Sequence, residues 1–513
     1  FGLLTRGSGL LNGLAVKPIS RSLVKSAHSD YEKKAVQLRS RFAQSDFEAH
    51  LPDRRNVFPQ DFNWGVATSS YQIEGATNVD GRGESIWDRF CATPGKVVNM
   101  ENGSVACDHY NLFPQDIRLM KDIGVSTYRF SLAWPRMFPT GDKQREQRGF
   151  DFYSRLIDAL LEADIKPLAT LYHWDLPQAL EDVGGWANRD TVSAFTDYAA
   201  AAVEAFGDRV QDWVTINEPW CVTWLGYMSG VHAPGVKNLA SAIAAAHHTA
   251  LAHAEATRAM KAVNPALRAG IALNMTNFIV EDKSNEETVE LASLMDSHIN
   301  RWWLEASLHG RYPQNLVDFY GEKLERVVLP GDMQKLKVEP DFLGINYYSD
   351  SFIGVPRPED KPASDGGPFP FPQRSNGTPP LPHTDMGWPV TPHGIRDLLV
   401  RVAKDWPEIE DIAITENGAA YPEEPDENGV VRDTRRVYYL DTHIDSVGAA
   451  IELGAPVKSY YAWSLMDNFE WAEGYAKRFG IIHVDFETQK RTLKNSAKAY
   501  AAIISNHTSP SVL

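Results

Sequence analysis

The chain has 513 residues, 43% of them hydrophobic and 23% charged, enough apolar material for a large core, which excludes disorder or a fibrous repeat as the main state. Its 67 acidic against 51 basic side chains give a net charge of −16, so no nucleic acid and no anionic membrane surface is expected as a partner, and a neutral small molecule fits better. No apolar run is long enough to span a bilayer.

Residues 1–56 read as an N-terminal appendage. Up to His28 it carries Arg6, Lys17, Arg21 and Lys25, several serines and no acidic residue, a composition either leader-like or foreign to the native protein. Residues 31–50 favour helix, and 51–56 lead into the first strand. From residue 57 strand-like segments follow at 62–68, 127–131, 167–173, 213–217, 268–274, 342–346, 412–416 and 457–463. Amphipathic stretches at 150–163, 189–206, 239–264, 286–309 and 434–453 place apolar residues at helical spacing. Alternating β and α units imply a parallel sheet, and eight of them imply closure into a single (β/α)8 TIM barrel with elaborated βα loops. A doubly wound sheet would want a glycine-rich phosphate loop after its first strand, and Gly65-Val66-Ala67-Thr68 is not one. The expected organisation is a barrel domain over 57–505 and a C-terminal tail over 506–513.

Two segments, Thr215-Ile216-Asn217-Glu218-Pro219 and Ile414-Thr415-Glu416-Asn417-Gly418, each place a carboxylate at the end of an apolar strand. In a parallel barrel that position is the C-terminal face, where strands remote in sequence aim side chains at one point. Two carboxylates converging across a cleft are what glycosidic-bond cleavage requires, one to protonate the leaving oxygen and one to attack or to activate water. Other strand ends are polar too: Gln72 and Glu74 follow the first, Arg129 lies in the second, and His173, Trp174 and Asp175 end the third. Asn217 precedes Glu218, Asn346, Tyr347 and Tyr348 end the sixth strand, and Trp463 ends the eighth, followed by Asp467-Asn468-Phe469-Glu470-Trp471. Aromatic walls with a few polar anchors suit a pyranose, which presents apolar C–H faces and equatorial hydroxyls.

Over about residues 57–505 the chain resembles the β-glucosidases of glycoside hydrolase family 1. The resemblance rests on seven motifs in the family's order: the stretch from Phe62 to Glu74, that from Tyr128 to Arg136, Tyr172-His173-Trp174-Asp175-Leu176-Pro177, Thr215 to Pro219, Gly344 to Tyr348, Ile414 to Gly418, and Trp463 to Trp471. It implies that Glu218 is the acid/base and Glu416 the nucleophile of a retaining double displacement, with Arg129 and Tyr348 keeping Glu416 ionised and oriented. It further implies Gln72, His173, Asn217, Glu470 and Trp471 as ligands of the glycone hydroxyls and Trp463 as the platform under the ring. Trp174 and Asn346, from the same strand ends, complete the expected binding set together with Phe479. Glu470, where the related 6-phospho-glycosidases carry a phosphate-tolerant residue, implies an unphosphorylated sugar, and Glu218, where myrosinases carry glutamine, implies O-glycosides. The substrate expected on these grounds is a small-molecule β-glucoside, with side activity on β-galactosides or β-fucosides.

Trp220, Trp224, Trp388 and Phe479 are candidates for the entrance, beneath a long Pro/Gly-rich loop over 356–389. His247 and His248 are adjacent but have no partners at metal-ligand spacing, so neither a metal nor another cofactor is expected. A non-catalytic sugar-binding relative would lack one carboxylate, and a metal-dependent barrel hydrolase would need more strand-end histidines than His173. Transglycosylation would use the same residues as hydrolysis. Cys91, Cys107 and Cys221 show no paired spacing, which favours a reducing, cytoplasmic setting, and a homo-oligomer is compatible with the composition.

Overall fold

In the computed structural model, residues 57–142, 144–362, 370–372, 374 and 380–508 are described. The appendage with its expected helix over 31–50, and much of the 356–389 loop, lie outside them. Eight strands close one parallel barrel: β1 (Asn63–Ala67), β2 (Thr127–Ser131), β3 (Lys166–Tyr172), β4 (Asp212–Asn217), β5 (Arg268–Asn274), β6 (Phe342–Asn346), β7 (Ile412–Asn417) and β8 (Val457–Trp463). They pair in sequence order, and β8 returns to β1 with Asn63 beside Ser459 and Ala67 beside Trp463, so the barrel has no open edge.

Both faces of each strand are covered, which is why the sequence runs apolar through them rather than alternating; β7 is buried at every position. One face looks into the lumen, where Ala67, Leu168, Val214, Ala272, Phe342, Ala413 and Tyr461 form a single cluster with Trp463 and Phe479. The other face, including Ile216, Ile271, Ile345 and Ile414, joins the main core beneath the outer helices. Those helices are α1 (His109–Ile123), α2 (Gln147–Glu162), α3 (Asp190–Phe206), α4 (Leu239–Val263), α5 (Trp302–His309), α6 (Pro392–Asp405), α7 (Thr434–Glu452) and α8 (Asn495–Thr508). α2 shows the logic: Phe150, Tyr153, Leu156, Ile157 and Leu160 form one buried stripe at helical spacing.

Two expectations change. The helix expected over 286–309 is instead Glu286–Asp296, a wide π-type turn at Ser297–Arg301, and then α5. The turn carries Asn300 inward, where its side chain accepts from Thr276 N–H at 3.1 Å and donates to Thr276 C=O at 2.8 Å, holding the segment that leaves β5. At the C-terminus α8 runs past residue 505 through Thr508, because His507 is buried and tied down. Its Nδ1 accepts from Trp64 Nε1 at 3.1 Å and its Nε2 donates to the Pro59 carbonyl at 2.9 Å. Among the described residues no helix is long and apolar enough to cross a membrane.

Candidate active site

The barrel delivers its polar residues to one end. β4 loses regular register with β5 between Val214 and Asn217, and Glu218 follows in a left-handed conformation with φ 48° while its N–H donates to the Ala272 carbonyl at 2.8 Å. Strain of this kind in a non-glycine residue persists only where surrounding contacts fix it. At the end of β7, a Cβ on Gly418 would lie 1.7 Å from the Trp463 carbonyl oxygen, so glycine is what allows the ends of β7 and β8 to touch.

The hydrogen-bond pattern can be traced outward from Arg129, whose guanidinium only donates. Fully buried on β2, it gives Nη1–H to Glu416 Oε1 at 2.6 Å and to the Thr415 carbonyl at 3.1 Å, Nε–H to Thr170 Oγ1 at 3.2 Å, and Nη2–H to Asn217 Oδ1 at 2.6 Å. Asn217 therefore has its carbonyl toward Arg129 and its amide nitrogen toward His173, donating to Nε2 at 3.1 Å. Burial, reinforced by the Arg129 charge, holds the His173 pKa well below its ordinary value, so the ring is neutral and carries its hydrogen on Nδ1. That buried Nδ1–H has no bond partner among the described residues and is a donor available to a ligand.

Asn346 is oriented by the same logic. It donates to Asn217 Oδ1 at 3.0 Å and to Glu218 Oε1 at 2.7 Å, while Thr415 Oγ1 donates to its Oδ1 at 2.6 Å. Asn217 Oδ1 thus accepts both from Arg129, which holds Glu416, and from Asn346, which holds Glu218, so one carbonyl links the partners of the two carboxyl groups. Tyr348 OH closes the set by donating to Glu416 Oε2 at 2.6 Å.

The two carboxyl groups are not equivalent. Burial raises the Glu218 pKa, and the negative charge of Glu416 raises it further; only the Asn346 amide, the Cys221 thiol and the more distant Arg129 work the other way. Burial also raises Glu416, but there the Arg129 charge in direct contact and the Tyr348 phenol oppose it. A proton shared between them therefore resides on Glu218 while Glu416 keeps its charge.

The remaining expected residues pack around the same network. Gln72 is fully buried, with its Oε1 accepting from Ser69 Oγ at 2.6 Å and its Nε2 donating to Asn468 Oδ1 at 3.0 Å, to the Phe469 carbonyl at 2.8 Å and to Glu470 Oε2 at 3.4 Å. Burial, then the charges of Glu416 and Glu218, push Glu470 up to about 8. His173 lies nearly parallel to Trp463, ring centroids 5.8 Å apart, and to Trp471 at 6.0 Å. Trp174 packs on Trp471 at 4.6 Å and donates its Nε1–H to the Asn217 carbonyl at 2.9 Å. Phe479 and Trp388 meet Tyr348 at 6.0 and 5.2 Å, forming an aromatic wall beside Glu416.

The entrance expectation fails for Trp224. It is buried in the main core against His298, Trp302 and Tyr320, because one helical turn beyond Trp220 it faces the outer helices rather than the opening. Trp220 is also buried and donates to His298 Nδ1 at 3.0 Å. His247 is engaged by Tyr312 OH at 2.8 Å and Asp332 Oδ2 at 2.9 Å. Three contributors escaped sequence reasoning: Thr415, which orients Asn346; Asn468, which holds Gln72; and Cys221, whose thiol donates to Glu218 Oε2 at 3.1 Å. Asn468 stands in the polar run after β8, and Cys221 lies three residues after Glu218 at the start of a helical segment; Thr415 left no comparable signal.

A closed parallel barrel with two buried, unequal carboxyl groups at its C-terminal rim defines a (β/α)8 glycosidase. The comparisons with known proteins are specific. The family model described as "Glycosyl hydrolase family 1" matches residues 54–509, and the chain belongs to that family. Beta-glucosidase A of Acetivibrio thermocellus is 45% identical over 453 residues, covering 88% of this chain and 99% of the relative. A Bifidobacterium breve relative named as a bifunctional beta-D-glucosidase/beta-D-fucosidase is 40% identical over 465 residues, covering 88% and 99%. Among solved structures, the psychrophilic beta-glucosidase of Micrococcus antarcticus superposes with a TM-score of 0.86 at 42% identity, covering 90% of this chain and all of that one. The Thermotoga maritima beta-glucosidase in complex with deoxynojirimycin gives 0.81 at 41% identity, covering 88% and 99%.

Proposed function

We propose that the chain is a retaining β-glucosidase that removes terminal non-reducing β-D-glucosyl residues from O-glycosides, cello-oligosaccharides included, with Glu218 as acid/base and Glu416 as nucleophile. The observation that carries this reading is the linked network: Asn217 Oδ1 accepts from both Arg129, which holds Glu416, and Asn346, which holds Glu218, while the cationic and phenolic partners belong to Glu416 alone. A pair with one carboxyl group protonated and the other held ionised suits direct attack with protonation of the leaving group. Glu416 attacks the anomeric carbon as Glu218 gives its proton to the departing glycosidic oxygen, so the C–O bond breaks and a glycosyl ester forms. With Glu416 esterified its charge is gone, and Glu218 ionises more easily. It then takes a proton from water as that water attacks the anomeric carbon, frees the Glu416 carboxylate and regains the starting protonation state.

In this reading Gln72, His173, Asn217, Glu470 and Trp471 bind the glycone hydroxyls over Trp463, and the Trp388 and Phe479 wall flanks the leaving group. Glu470 lies close enough to Glu416 and Glu218 for their charges to raise its pKa, and a phosphate dianion among them would add to that repulsion, which favours a neutral sugar over a phosphorylated one. Tolerance of β-galactosides or β-fucosides belongs to the proposal, the latter in keeping with the name of the Bifidobacterium breve relative. The test is Glu416→Ala on an aryl β-glucoside: turnover falls on the order of 10⁵-fold or more. Azide or formate then restores it with an α-configured product, and a rescued product of β configuration overturns the assignment.

A further inference from the structure

Resting on the reading of Glu218 as acid/base, we propose that its transferable proton is carried on Oε2 and that Cys221 is a positioning residue that holds this oxygen and tunes its release. The argument is one of hydrogen-bond polarity. Arg129 fixes the Asn217 carbonyl, and that carbonyl together with Glu218 Oε1 fixes the Asn346 amide as the donor to both. Glu218 Oε1 therefore receives an N–H in every protonation state and has no acceptor facing it from this network. The partner of Oε2 among the described residues is the Cys221 thiol, at 3.1 Å. A thiol hydrogen can rotate, so this contact alone accommodates the carboxyl group with and without its proton.

The local fold places the thiol there. Glu218 leaves β4 with φ 48°, Val222 N–H reaches back to the Glu218 carbonyl at 3.2 Å, and a wide π-type helical segment, Cys221–Met228, begins three residues after the carboxylate. Insertions of this type recur at functional sites because they re-aim side chains without unravelling the helix. Cys221 is buried, and both burial and the neighbouring Glu218 raise its pKa well above the ordinary thiol value, so it remains an S–H rather than a competing anion. The other titratable and charged groups facing Glu218 are Glu416 from β7, Arg129 from β2, Tyr348 after β6 and Glu470 after β8. None of these touches Oε2.

An S–H donor favours the ionised carboxylate. Removing it raises the Glu218 pKa, so the alkaline limb of kcat/KM, where the acid loses its proton, moves to higher pH. A hydroxyl in its place is a stronger donor and moves the limb to lower pH. The experiment measures kcat/KM against pH on 4-nitrophenyl β-glucoside for the wild type, Cys221→Ala, Cys221→Ser and Glu218→Gln, each shown to be folded by its thermal transition. The alkaline limb is expected to rise by about half a pH unit in Cys221→Ala and to fall in Cys221→Ser. A purely packing role would change stability or KM without moving the limb in opposite directions. Limbs that stay put, or move the same way in both cysteine variants, overturn the inference while leaving Glu218 as acid if Glu218→Gln has lost the limb. A limb that survives in Glu218→Gln overturns the acid assignment itself, and this inference with it.

Discussion

At the N-terminal end of the barrel Phe342 fills the lumen with the Arg268 guanidinium 5.5 Å from its ring centroid, and the ion pairs around it, Arg268 with Asp212 and Asp411, are partly open to solvent. Toward the C-terminal end β2 contributes Arg129, and β4, β6 and β7 lead into Asn217 and Glu218, Asn346, and Glu416, all buried and bonded chiefly to one another. The lower end stabilises by removing apolar area from water, which needs shape but little orientation. The upper end must orient and pair its buried donors and acceptors, because an unpaired one costs about 1–3 kcal/mol, and it leaves His173 Nδ1–H open to a ligand. It also carries backbone strain at Trp174, Glu218 and Trp471, with φ of 80°, 48° and 49°, each costing on the order of 1 kcal/mol or more. Stability and chemistry are thus assigned to opposite ends of the same strands.

Outside the two carboxyl groups themselves, Arg129→Met should produce the largest effect, because that side chain anchors the polarity of the whole upper network. Breaking a buried pair by removing one partner costs about 3–5 kcal/mol of stability. Glu416 also loses the charge that keeps it ionised, so kcat/KM should fall on the order of 10³-fold. Paired melting and kinetic measurements check both; unchanged activity would show that the network is ornamental. Phe342→Ala probes the other end. Removing a buried phenylalanine should cost about 3–5 kcal/mol, with kcat/KM and its pH profile close to wild type, measured below the new melting temperature. A large kinetic defect there would show that the two ends are mechanically coupled, contrary to their separation along β6.

The separation also explains what was legible in the sequence. Eight apolar runs, each closing on a polar cluster, announce strands buried on both faces with their work at one end, so barrel closure and the meeting of Glu218 with Glu416 follow from the pattern. The roles proposed for these two, and for Gln72, His173 and Glu470, rest on the family resemblance, since spacing alone ranks no carboxylate above another. The wide turns at Cys221–Met228 and Ser297–Arg301 were invisible because one extra residue per turn barely disturbs an apolar stripe. Trp224 was misplaced for a related reason: an indole near the site suits a core as well as an entrance, and only the helix phase decides. Cys221 and Thr415 needed coordinates, because a bond to a carboxyl or amide depends on where a strained strand end turns.

The finest discrimination within the upper end comes from Tyr348→Phe, which removes the phenol bonded to Glu416 Oε2 and leaves the ring against Trp388 and Phe479. That bond favours the ionised form of Glu416, so its loss raises the Glu416 pKa. In the proposed mechanism Glu416 works as a carboxylate, and kcat/KM rises with pH as it ionises; a raised pKa moves this acid limb to higher pH. A hydrogen bond to a charged group is worth about 1.5 kcal/mol, close to one pH unit and roughly tenfold in rate at pH values below the limb. The alkaline limb, assigned to Glu218 in the proposed mechanism, should move far less, because Tyr348 OH is bonded to Glu416 Oε2 rather than to that carboxyl group. Equal displacement of both limbs would mean that the proton is shared between Glu218 and Glu416, and that the contrast in their partners does not separate their roles.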